Sequence, residues 1–184
     1  MVETLPSCFQ GSASTLETLA IKECIRMESL PEWLSTPSSL KSLQITNCPN
    51  LKSLPSNLHR PAIKSFQISD YPRLQKIFDN KEWLIRSEDM NVVLRLKTII
   101  LFYMDPLPHF LQQYASTLQN LVIGWCYKLV VLSKWLSNLS ALKFLYIFDC
   151  SKLMSLPSDI HRLTSLQVLR IISCAELYKK YGPQ

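Results

Sequence analysis

The sequence predicts an α/β solenoid: a right-handed coil of about seven turns, with a curved parallel sheet on its concave face and irregular or short helical segments on its convex face. Three observations carry that prediction. The first is the stretch LKSLQITNCPNLKSLP, where Leu40, Leu43, Ile45, Cys48, Leu51 and Leu54 are apolar at offsets 0, 3, 5, 8, 11 and 14. Offsets 3 and 5 alternate as in a short strand with one buried face, and the later ones turn the chain back over a core. The second is recurrence. One such turn cannot bury its own apolar face, so copies must stack. The third is the placing of proline: there are 11 Pro against 3 Gly, and several close a copy as Leu-Pro, a corner where no amide donor is needed.

Taken in order, residues 1–15 contain Leu5-Pro6, the tail of an incomplete preceding turn. Full copies begin at Leu16 (LETLAIKECIRMESLPEWL) and Leu40. The third begins at Ile63, with Phe66, Ile68, Tyr71, Leu74 and Ile77 on the pattern. The fourth, from Leu96, degenerates after Met104. Copies five and six begin at Leu118 and Leu142, and the seventh, LQVLRIISCAEL, begins at Leu166. Successive starts lie 24, 23, 33, 22, 24 and 24 residues apart, and all but the third spacing are those of leucine-rich repeats. The long interval places an insertion at about 79–95, either a helical or an extended flap. Residues 16–184 therefore read as one leucine-rich-repeat domain.

In each copy offsets 3 and 5 should point inward, and offsets 2, 4, 6 and 7 outward. Offset 8 is Cys in five copies: Cys24, Cys48, Cys126, Cys150 and Cys174. One Cys per turn makes a buried ladder of small residues with weak S–H donors, not the converging pairs that metal binding wants. His59 and His161 share one turn position on the outer surface. His109 has no nucleophile or orienting partner in any catalytic pattern, and no G-x-S-x-G, Walker A or H-E-x-x-H sequence occurs. The expectation is a protein that is not an enzyme and uses no cofactor or metal.

The net charge of +6 comes from Lys and Arg scattered singly, a solvated face and not a nucleic-acid stripe. No apolar run reaches 18 residues and the N-terminus has no signal-peptide pattern, so no membrane insertion is expected. Six Cys without a secretory signal point to a reducing compartment, cytoplasmic or nuclear.

A solenoid leaves its outward strand positions free to vary, and function is written there. In the first three copies these are small and polar: Thr18, Ala20, Lys22 and Glu23, then Ser42, Gln44, Thr46 and Asn47, then Ser65, Gln67, Ser69 and Asp70. In the later copies they become large. Ile100, Phe102, Tyr103, Val122, Trp125, Phe144, Tyr146, Phe148 and Arg170 form the candidate protein-binding face, an aromatic patch with an arginine beside it. Its occupant is either an external partner or another domain of the same polypeptide. Trp33 and Trp135 recur at offset 17 and read as outer-face packing.

The phrase LxxLxIxxCxxLxxLPxxL, with Cys where many such repeats have Asn, together with LPEWL at Leu30–Leu34 and HRLTSLQVLRIISCAEL at His161–Leu177, resembles the C-terminal repeats of plant nucleotide-binding leucine-rich-repeat immune receptors. The resemblance spans about Leu5 to Leu177. It implies a sensor region in plant defense that binds a pathogen effector or a guarded host protein, or restrains the receptor's own nucleotide-binding domain. The nucleotide site of that family needs a Walker A loop, absent here, so the chain should bind no nucleotide and reads as part of a longer receptor. A stand-alone leucine-rich-repeat adaptor without an immune role is the alternative.

Overall fold

Strands form where apolar residues alternate, and the same five offsets are used in every turn. The computed structural model describes residues 5, 11, 14–35, 39–55, 63–69 and 96–182. The expected insertion at 79–95, Asp70, Tyr71 and His59 lie outside them, as does most of the partial turn at 1–15. The chain divides into two compact units, one ending at Leu96 and one beginning at Lys97.

In the first unit, β1 (Thr18–Lys22), β2 (Ser42–Thr46) and β3 (Ser65–Ser69) pair in parallel, each spanning offsets 2 to 6. The register puts Ile21, Ile45 and Ile68 in one row, and all three are buried. A second row runs from Leu19 through Leu43 to Phe66, the last two buried. Exposed ion pairs join consecutive turns, Lys41 with Glu17 and Lys52 with Glu28. Such pairs contribute ~0–1 kcal/mol and do not hold the fold.

The second unit repeats the plan with β4 (Thr98–Phe102), β5 (Asn120–Gly124), β6 (Phe144–Phe148) and β7 (Val168–Ile172), again parallel. Its core rows are Ile99–Leu121–Leu145 and Leu101–Ile123–Ile147, all fully buried. The next members of those rows, Leu169 and Ile171, are 40% and 37% exposed because no turn lies over them among the described residues. The returning halves are short 3-10 turns: Glu32–Ser35 in the first unit, then His109–Tyr114, Lys134–Asn138 and Ile160–Arg162. A helix, α1 (Ala175–Tyr181), follows the last strand and buries Leu177. Trp135 is buried on its 3-10 turn, the packing role its recurrence implied.

The cysteine ladder is built as expected, and the structure shows its purpose. Each thiol donates to the carbonyl two residues earlier, the last residue of the strand, at 3.3–3.5 Å: Cys24 to Lys22, Cys48 to Thr46, Cys126 to Gly124, Cys150 to Phe148, Cys174 to Ile172. The chain leaves the strand at that point, and the thiol accompanies the turn. A hydrogen bond shared with Cys126, then burial, holds the Cys150 thiol above the ordinary range, and burial raises Cys174. Raised, buried thiols are poor nucleophiles, whereas the Cys126 thiol is held below the ordinary value by its hydrogen bond with Cys150 and is kept from reagents by burial alone. Iodoacetamide should therefore label Cys24, the one half-exposed member, well before Cys48, Cys126, Cys150 and Cys174, which should react only on unfolding; peptide mass mapping checks this.

Candidate functional site

One residue after six of the strands (β1, β2 and β4 to β7) the backbone adopts a left-handed conformation. Glu23, Asn47, Tyr103, Trp125, Asp149 and Ser173 have φ between 52° and 57°, all at offset 7. Asn and Asp visit this region with little strain, but a bulky residue there costs of order 1–3 kcal/mol. Tyr103 and Trp125 accept that cost in consecutive turns.

What they gain is each other. Their rings stack with centroids 5.7 Å apart and planes 13° from parallel. Phe102 meets Trp125 edge-on at 4.8 Å, and Trp125 meets Phe148 edge-on at the same separation. Phe102 and Phe148 also touch at 5.6 Å, although β5 lies between their strands. Gly124 makes that possible. It pairs with both residues in register, and a Cβ on it would lie 2.3 Å from the tip of the Phe148 ring. The missing side chain lets the ring lie flat across the sheet. Edge-to-face and offset pairs of this kind contribute about 0.5–1.5 kcal/mol each beyond area burial.

Tyr127 joins the cluster, 6.2 Å from Tyr103, and is half exposed, as Tyr103 is. It stands at offset 9, beyond the outward strand positions, and the left-handed turn brings it back: the Tyr127 amide donates to the Trp125 carbonyl at 3.1 Å. Partial desolvation, followed by the charges of Tyr103 and Asp149, pushes its phenol above the ordinary value.

The remaining predicted residues lie on the same face but outside the ring cluster. Ile100, Val122, Tyr146 and Arg170 form one row across β4 to β7, and the Arg170 guanidinium lies over the Tyr146 ring at 5.7 Å. Phe144 pairs with Asn120 and Val168 at the start of its strand. Every one of these side chains is at least partly exposed. Among the described residues no group of three or more His, Cys, Asp or Glu is placed to hold a metal. What the face offers is a firm, ring-lined surface.

No protein-family pattern matches the sequence, and no curated protein matches it. Among solved structures, it is similar to the leucine-rich-repeat domain of the type III effector XopL, with a TM-score of 0.57 and 19% identity, covering 96% of this chain and 67% of that one. At that identity the likeness is one of architecture. Repeated parallel strands, inward leucine rows and this neighbour together make the chain a leucine-rich-repeat solenoid.

Proposed function

We propose that this chain is a protein-recognition module whose contact surface is the ring cluster Phe102, Tyr103, Trp125, Tyr127 and Phe148, with Tyr146 and Arg170 beside it. The observation that carries the reading is that two large rings occupy strained left-handed positions on an exposed face, where Asn or Gly would suffice for folding. Strain kept at a surface is a mark of function, and rings with a nearby arginine have the composition of interface hot spots. Among the described residues no helix is long and apolar enough to cross a membrane, so the surface is not accounted for by a span.

The finer reading rests on the sequence resemblance. The chain serves plant defense as the sensor region of an intracellular immune receptor, with no catalytic activity, and binds an effector, a guarded host protein or the receptor's nucleotide-binding domain. Affinity capture from infected and uninfected leaf extract tests it. Recovery of one of those three classes, lost with a patch variant, supports the reading. Recovery only of proteins unconnected with immunity favours the stand-alone adaptor.

A further inference from the structure

Asp149 stands beside the rings with no counter-ion among the described residues. It occupies offset 7 of its turn, next to Trp125 on the preceding one, and both positions continue the sheet ladder: the Trp125 amide donates to Phe148 at 3.1 Å and the Asp149 amide to Ile172 at 3.0 Å. Turns so paired run about 4.8 Å apart, within reach of one guest group. Among the described residues the Asp149 carboxylate makes no ion pair and no side-chain hydrogen bond. Its charge reaches Tyr127, whose phenol it helps to raise.

Ring faces are electron-rich and draw cations, and a carboxylate at their edge draws the same guest. The chain already makes this pairing internally, with Arg170 over Tyr146 at 5.7 Å. A planar guanidinium fits both requirements at once, stacking on a ring while its N–H fork meets a carboxylate. An anionic guest would be repelled by both.

We propose that the surface recognises an exposed arginine of its protein partner, the guanidinium lying against Trp125 and Tyr127 and pairing with Asp149. The inference rests on the reading of this face as a contact surface and adds the chemistry of what it contacts.

The test follows the Trp125 indole N–H resonance, assigned by its loss in Trp125→Phe, during titration with N-acetyl-arginine amide and with its uncharged isostere N-acetyl-citrulline amide. The arginine compound should bind saturably and about threefold or more tighter than the citrulline one. Asp149→Asn should erase that preference without disturbing the fold, because Asn is at ease in the left-handed region. Equal responses, no saturable response, or a preference that survives in Asp149→Asn would overturn the proposal. A captured partner that depends on Trp125 but is indifferent to Asp149→Asn overturns the arginine alone and leaves the contact surface standing.

Discussion

Leu145→Ala is expected to lower the stability of the second unit by about 2–5 kcal/mol, read as a fall in the denaturation midpoint. Leu145 is the last fully buried member of its row, with no exposed surface, and the strands on either side hold the walls of the resulting cavity apart. Ile147→Ala should behave alike. The contrast is Leu169→Ala at the equivalent position of β7. That side chain is 40% exposed, packed on one side only, so its truncation should cost ~1 kcal/mol or less. Equal costs at the two positions would mean that Leu169 is covered as fully as Leu145.

Trp125→Gly is expected to separate binding from folding. Glycine removes the left-handed strain at φ 52° but also removes ring contacts with Phe102, Tyr103 and Phe148. The strain relieved is about 1–3 kcal/mol and the three ring pairs lost are worth about 1.5–4.5 kcal/mol together, so the net change should be a modest loss of about 1–2 kcal/mol. Partner affinity should nevertheless fall roughly 30-fold or more, the loss that accompanies a central hot-spot side chain. A purely structural Trp125 would show the reverse pattern, a large fall in melting temperature with binding intact.

The repeat, its strand positions and the cysteine ladder were legible because each is written several times. Leu43, Leu121 and Leu145 hold one offset, and the strand around each has the same five-residue bounds. Seven partial signals at a fixed period reinforce one another where one alone would be ambiguous. Features written once were harder. Tyr127 escaped because it lies past the strand, and only the left-handed backbone at Trp125 returns it to the face. A large ring on each side of Cys126 was the available signal. The role of Gly124 was equally hidden, since a glycine in a strand does not announce which neighbour fills its space. Helix α1 replaces the irregular return of earlier turns; AELYKKY is rich in good helix formers, but no second copy exists to compare. The exposure of Leu169 and Ile171 is a property of position in the stack, which the identity of a leucine cannot encode.

Hydroxyl-radical footprinting of the free chain and of its complex with a captured partner tests the central claim most directly. In the free chain the half-exposed Tyr103 and Tyr127 should oxidise readily and the partly exposed Trp125 measurably, while Leu145 and Ile147 stay protected, and in the complex the three rings should become protected as well. Rings already shielded in the free chain, or still fully reactive in the complex, would contradict an exposed aromatic contact surface.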